Sequence, residues 1–500
     1  MHKIAHQDFR GYLLPVSISR PGGALCAWGV ALTLSLGVFA FWSQQDWLLI
    51  YFAPAAYCAI FCSLILTAQS WRDPFNPLCL VIAAGVVRFL IPSLLLSSGV
   101  QPEGEVDALF RLMRLSDHDW QWGNALALTG LCGVVLGWFL VQGESSRDRT
   151  VKLQLSGGVL VAAIVGCLIG CLALIAFVFM NGSIGIILTG QFRGTVVQEG
   201  TGKFFFLAYL LIGGSALLTC YLLVKGCGWY SLIPVLIAGL FYSVLGGRAR
   251  AMTPIAAGLL LLWTYKREQS SWRKLFLKPR YFFYAPLTIA CALWLSYVGI
   301  LYRGGFGANA FAEAMSLMGF WQHIQGSVFT DLGQLHSLAG AVAIGPGVLN
   351  GHTFYGALTW PLSSVLPIPG RSAGVFIIED LVGFGKNQER WGVNASLMGD
   401  AYLNFGLTGV AVVTLVLGVF LKMLYLKFRD GSLHGAIYCV ALLSAVQAFW
   451  VSIEVWPQAL TTVSFTAFLI WFGNTLLRVR RASTGSEPEK ISPSLSKFSI

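Results

Sequence analysis

Charge is scarce in this chain. Only 11% of its 500 residues are Asp, Glu, Lys or Arg, against about 25% in soluble proteins. Apolar residues make up 56%, and the mean hydropathy is +0.70. So few charges cannot cover so much apolar surface in water, which excludes the two to four soluble domains that this length would otherwise suggest. Several catalytic signatures are missing too. There is no GxxxxGK[ST], no HExxH and no GxSxG in a suitable context, which sets aside ATP-driven pumping and zinc proteolysis. Neither an internal repeat nor the paired broken spans of a secondary transporter are visible. Cysteine is present at 11 positions, but all lie in or beside apolar runs. No disulfide framework or metal-ligand spacing results, and they read as small packing residues. The first apolar run begins near Leu25 and has full membrane length, unlike a cleavable signal peptide.

What is present is a series of long apolar runs, with the 17 Trp, 16 Tyr and 34 Phe expected of a chain that meets lipid headgroups. A helix needs about 20 apolar residues to cross the hydrocarbon core. Twelve runs qualify, at about 24–43, 47–68, 78–97, 123–142, 157–180, 204–224, 228–246, 250–265, 281–301, 398–421, 433–453 and 458–477. The chain therefore reads as an all-α polytopic membrane protein of about 12 transmembrane helices. Its expected organisation is a cytoplasmic N-terminus (1–23), spans one to nine (24–301), a large outer loop (302–397), spans ten to twelve (398–477) and a cytoplasmic disordered tail (478–500). Of the 33 Lys and Arg, 22 fall in the segments that would face inside and 10 in those outside, which places both termini in the cytoplasm. The net charge of +11 is thus accounted for by orientation against anionic membrane lipid, and no nucleic acid is needed.

The polar matter concentrates outside. The 98–122 segment carries Asp117-His118-Asp119, an Asp-x-Asp of the kind some membrane glycosyltransferases use for a metal, though such a match is frequent by chance in acidic loops. The 302–397 loop is the natural home of chemistry. In its first part Phe311, Met315, Met318, Trp321, Val328, Leu332 and Leu335 recur at helical spacing, as in short helices lying on the membrane face. Its second part, Gly351 through Pro361, Pro367 and Pro369 to Arg371, reads as loop. Arg88 sits mid-span, where an unpaired guanidinium is costly. It answers equally to a functional role and to an ion pair with another span. Arg248 and Arg250 close a short turn between two spans, and Arg193, Arg303, Arg371 and Arg390 complete an outer set suited to a diphosphate. A general base on the same face would come from His336, His352, Glu379, Asp380 or Asp400.

Four stretches resemble the Wzy-type O-antigen and oligosaccharide repeat-unit polymerases of bacterial inner membranes. They are Asn181-Gly182-Ser183 leading to Gln191-Phe192-Arg193-Gly194; Gly246-Gly247-Arg248-Ala249; Gly351-His352-Thr353-Phe354-Tyr355 with Trp360-Pro361 and Pro367-Ile368-Pro369-Gly370-Arg371; and Ser396 through Gly409, similar to the family's Gly-Glu-x-Tyr-x-Asn-Phe-Gly. Together they cover roughly 180–410. Asp400 stands where that pattern has Glu, and the Arg-x10-Gly spacing discussed for some members does not occur at the outer arginines. The resemblance implies a GT-C-like glycosyltransferase joining oligosaccharide repeats carried on undecaprenyl diphosphate, without cofactor or metal. Arg88, Arg193, Arg248, Arg250 and Arg371 would hold the diphosphate, and His352 or Asp400 would be the base. Arg303, Tyr355, Trp360, Tyr402 and Asn404 would bind substrate. A chain-length-regulating co-polymerase and a flippase would be partners. An O-antigen ligase is the neighbouring reading, and a lipid-linked oligosaccharide flippase the rival from another class.

Overall fold

The structure is a computed structural model, described over residues 56–57, 76–97, 113–141, 158–180, 202–244, 248–269, 294, 297–298, 314–322, 334–359, 373–382, 395–429, 433–453 and 456–484. All the regular elements found there are helices: α1 (Pro77–Gly85), a π-turn (Val86–Leu90), α2 (Ile91–Ser97), α3 (Asp117–Leu140), α4 (Gly158–Met180), α5 (Gly202–Val224), a 3-10 turn (Gly228–Leu232), α6 (Ile233–Val244), α7 (Arg248–Gln269), α8 (Leu335–Ile344), α9 (His352–Thr359), α10 (Ala373–Val382), α11 (Ser396–Arg429), α12 (Gly435–Trp450) and α13 (Trp456–Thr484). Among the described residues, six helical stretches are long and apolar enough to cross a membrane: Pro77–Leu96, Asp117–Leu140, Gly158–Met180, Phe206–Val224, Ser396–Arg429 and Ala459–Val479. The chain is a polytopic membrane protein, all-helical over the described residues. Shorter apolar helices stand at the expected seventh, eighth and eleventh spans. The first expected span, and most of the second and ninth, lie outside the described residues.

The chain divides into two compact units. The first comprises Met1–Ser145, Ser316–Leu426 and Ala445–Pro457; the second comprises Ser146–Met315, Lys427–Ser444 and Gln458–Ile500. In the second, α4 and α5 pack through small residues. Gly166 faces Gly214, Gly170 faces Leu211, and Gly158 faces Gly473 of α13, each so close that a Cβ would overlap its neighbour. Close backbone approach of this kind holds helices together in lipid, where apolar surface alone gives no drive to associate. Ala173, Leu174, Phe177, Ala208, Ile212 and Tyr242 fill the core beside it, and the Tyr242 hydroxyl donates to Ala208 O at 2.7 Å. The opposite side of α4 exposes Val161, Ile164, Leu168, Leu172, Ile175 and Phe179. Each would cost about 1.5–3 kcal/mol in water, so this stripe belongs against lipid.

In the first unit, α3 carries one glycine stripe. Gly123 meets Ala339 of α8, Gly130 and Gly133 meet Met398 and Thr414 of α11, and Gly137 meets the backbone at Leu415. Ser116 caps α3: its hydroxyl accepts from Asp119 N–H at 3.3 Å, while Asp119 Oδ2 accepts from the Ser116 N–H at 2.8 Å. The helix therefore begins at Asp117, within the stretch expected to be outer loop, and Asp119 is spent on the cap. The π-turn has an equally local cause. Pro92 has no N–H to offer the Arg88 carbonyl four residues back, and the Ile91 N–H bonds instead to Val86 O, closing the wider turn. The N–H of Gln334, just before α8, takes up the Arg88 carbonyl at 3.0 Å.

Three expectations for the outer loop and tail are corrected. The amphipathic stretch was expected to lie on the surface as far as Leu335. Leu317, Met318 and Trp321 are indeed exposed, but Leu335 through Ala341 are buried. α8 is enclosed by Gly123, by Met113 and Ile377 against its Gly340, and by Gly399 of α11. Its small residues Ala339, Gly340 and Ala341 permit that. The segment after Gly351 is not loop up to Pro361, because residues 352–359 contain no proline and fold as α9. Finally, α13 continues to Thr484, so Arg478–Thr484 of the expected 478–500 tail belong to helix and not to a disordered segment.

Candidate functional site

The site grows from a break in α11. Gly406 has φ 68° and ψ −162°, a backbone conformation that glycine adopts without steric cost. It divides the helix into a short arm, Ser396–Phe405, and a long arm from Leu407 to Arg429. The long arm is about 34 Å at 1.5 Å per residue, enough to cross a hydrocarbon core of about 30 Å. The expected span at 398–421 is therefore displaced toward the C-terminus, and Asp400 sits on the arm that is not needed for crossing.

The 345–351 turn closes over the end of the short arm. A helix end leaves its last carbonyls without partners inside the helix. Here Tyr402 O accepts from Gly347 N–H at 3.0 Å, and Leu403 O from Leu349 N–H at 2.8 Å. Leu349 and Leu403 join one buried core with Met113, Ala341, Ile377 and Ile378, against which Tyr402 packs. Gly351, at φ 83°, then turns the chain into α9, and the rings of Phe354 and Phe405 meet edge to face at 5.0 Å.

This docking brings Thr353 onto Asp400. The Thr353 hydroxyl donates to Asp400 Oδ1 at 2.5 Å. Asn404, one turn along the same face as Asp400, donates from Nδ2 to Thr353 Oγ1 at 2.7 Å and to Asp400 Oδ1 at 2.9 Å. From the α12–α13 connection, Ile453 N–H donates to Asp400 Oδ2 at 3.2 Å, and Val451 O accepts from Ser396 N–H at 2.8 Å. Thr353, Asp400 and Asn404 are 4%, 0% and 3% exposed. Three donors converge on one sealed carboxylate, the arrangement that suits its ionised form. Asp400 therefore ties three segments together. His352 and Tyr355 are on the outward side of α9, exposed; Tyr355 is 56% exposed.

The other expected residues fall as follows. Arg88 lies on the π-turn, partly buried, in the same unit. His336 was weighed as a loop histidine; it is buried in α8, with Nε2 at 3.2 Å from the Ser337 hydroxyl. Glu379 and Asp380 are on α10, the latter exposed. Arg248 and Arg250 begin α7 in the second unit, so the turn expected between the seventh and eighth spans is in part helix. Arg193, Arg303, Arg371, Arg390 and Trp360 lie outside the described residues, as does the 181–194 motif.

No family model, no curated protein and no solved structure matches the chain. The site thus stands on its own geometry. That geometry joins Gly351-His352-Thr353-Phe354-Tyr355 to the Asp400–Gly406 stretch, two motifs separated by over forty residues. Thr353 is the member that reading the sequence missed. Its signal was its place between two aromatic or titratable neighbours in a motif already singled out, but a threonine carries no charge to draw attention.

Proposed function

We propose that the chain is a membrane glycosyltransferase of the Wzy type, located in the bacterial inner membrane. It would polymerise undecaprenyl-diphosphate-linked oligosaccharide repeat units on the periplasmic face, for O-antigen, capsule or exopolysaccharide. The observation that carries the reading is the junction of α9 with the short arm of α11. Two stretches of the resemblance, the most specific one (Ser396–Gly409) and the one beginning at Gly351, are hydrogen-bonded to each other through Thr353, Asp400 and Asn404, and they leave His352 and Tyr355 exposed beside them.

In this mechanism His352 is the general base, being open to substrate, whereas sealed Asp400 is a positioning residue. His352 takes the proton of the acceptor hydroxyl. The oxygen attacks the anomeric carbon of the donor, a new glycosidic C–O bond forms, and the bond to the lipid diphosphate breaks. The diphosphate leaves with the electron pair, and arginine stabilises the charge that develops on it. Arg88, Arg193, Arg248, Arg250 and Arg371 are the candidates for that role. Tyr355 offers a ring on which a sugar can stack. A flippase and a chain-length co-polymerase would act before and beside this step.

A transporter is the second reading, since helix breaks also build transport sites. In such sites, however, unwound carbonyls stay open to coordinate ions, whereas Tyr402 O and Leu403 O are taken by Gly347 and Leu349. The test is a deletion strain complemented with wild type or His352→Ala at matched membrane levels. Polymerase activity predicts long glycan ladders from wild type and single attached repeats from the variant. Complete loss of attached glycan in the deletion strain would point to a ligase, and repeat units retained on the cytoplasmic face to a flippase.

A further inference from the structure

The end of α11 remote from the Asp400 junction carries a cation that the mechanism above does not use. Lys422 lies about 22 Å beyond Leu407 at 1.5 Å per residue. It stands on the face of the long arm that packs on α3, since Leu415 and Gly418, on that same face, meet Gly137 and the backbone at Val134 and Trp138. α3 itself ends just past Trp138, at Leu140. The Lys422 ammonium is 4.8 Å from the centre of the Trp138 ring, and the Tyr425 ring lies 5.7 Å from the Trp138 ring. Trp138 and Tyr425 are 5% and 8% exposed, and Lys422 is partly buried. All three belong to the first unit.

A lysine near a membrane boundary ordinarily extends its stem until the ammonium reaches water. Here the ammonium is held over a ring that is itself covered. The ring attracts it from one side, but among the described residues no oxygen accepts from its three N–H groups. One ring face returns only part of the hydration that the charge has given up, so the site needs an anionic acceptor from outside the protein. At the end of a membrane span, the phosphates of lipid headgroups supply one. Phe139 and Leu140, next to Trp138 at the end of α3, are exposed and apolar, which gives acyl chains a surface beside that phosphate. We infer that Lys422 and Trp138 bind the phosphate of one anionic phospholipid at this membrane face. The ammonium donates to the phosphate oxygens, and the indole holds the ammonium in place. Phosphatidylglycerol, with a net negative headgroup, fits the site; a choline headgroup would bring a second cation beside Lys422. The inference is independent of the polymerase reading.

The test uses the full-length protein, delipidated in detergent, with three probes: dioleoyl-phosphatidylglycerol, dioleoyl-phosphatidylcholine and inorganic phosphate. Native mass spectrometry reads the first lipid bound. Wild type should take phosphatidylglycerol at least about tenfold more tightly than phosphatidylcholine, the value of one charge-assisted hydrogen bond, and inorganic phosphate should not displace it. Lys422→Met should lose that preference at the first bound lipid while melting no lower than lipid-free wild type, and Lys422→Arg should keep it. Lys422→Gln repeats the test should Lys422→Met fail to fold. Equal first binding of the two lipids by wild type would overturn the inference, since Lys422 would then be a plain interfacial anchor. So would a Lys422→Met protein that keeps the preference. Displacement of the lipid by inorganic phosphate would overturn it as well, by showing a site for free phosphate and not for a phospholipid.

Discussion

Replacing Thr353 with valine keeps the shape of the side chain and removes one hydroxyl. That hydroxyl donates to Asp400 and accepts from Asn404. A hydrogen bond to a charged group contributes about 1.5–3 kcal/mol, and the group left behind is buried. Asp400 would keep Asn404 Nδ2 and Ile453 N–H, so the loss should fall near that range and not exceed it. The effect should be local, because α9 is joined to the short arm of α11 through this bond, the Phe354–Phe405 contact and the 345–351 turn. Hydrogen exchange in nanodiscs is the direct assay. At about 1.4 kcal/mol per factor of ten, amides of residues 352–359 should exchange roughly 10–150 times faster in Thr353→Val. Amides of α4, in the other unit, should be unchanged, and Thr353→Ser should stay close to wild type. Unchanged exchange across α9 in Thr353→Val would refute the claim that this node holds the helix in place.

Other perturbations have equally definite outcomes. Gly406→Ala forces an L-residue into a backbone region used almost only by glycine, at about 1–3 kcal/mol, and should reduce the fraction of folded protein, read by size-exclusion fluorescence in detergent. Gly137→Leu drives a side chain into the backbone at Leu415; overpacking of about 1–3 kcal/mol or more should lower the melting temperature, whereas Leu168→Ala on the exposed stripe of α4 should leave it nearly unchanged. Asp400→Leu strands the Thr353 hydroxyl and the Ile453 N–H, while Asn404 Nδ2 keeps Thr353 Oγ1 and the carbonyl of residue 400, and it should destabilise more than Thr353→Val, with thermal melting as the check. Arg248→Lys keeps charge but loses the planar fork, and glycan chains in the complemented strain should shorten if that arginine grips a diphosphate in two places.

The membrane class and most helix positions were legible because hydropathy acts over twenty residues at a time, and the long runs at 78–97, 123–142, 157–180 and 204–224 each correspond to a helix. The break in α11 was not. Gly406 is one glycine among 56, and its role depends on a turn docking from residues more than fifty positions earlier. α8 was misread for a similar reason: its His336 and Ser337 are buried, and the helix packs against α3, α10 and α11 through Leu338, Ala339, Gly340 and Ala341, none of those helices being adjacent in sequence. Asp400 and Asn404 could be singled out from spacing and motif, but whether the carboxylate faced substrate or was sealed depended on Thr353 and on the backbone at Ile453.

We propose that this membrane protein joins lipid-linked glycan repeats with His352 as the base. Glycan length on surface polysaccharide tests it most directly, in a deletion strain complemented with wild type or His352→Ala at equal membrane abundance. Wild type should give a long ladder and the variant single attached repeats. Normal ladders from His352→Ala would contradict the assigned base, and repeat units trapped on the cytoplasmic face of the deletion strain would contradict polymerisation itself.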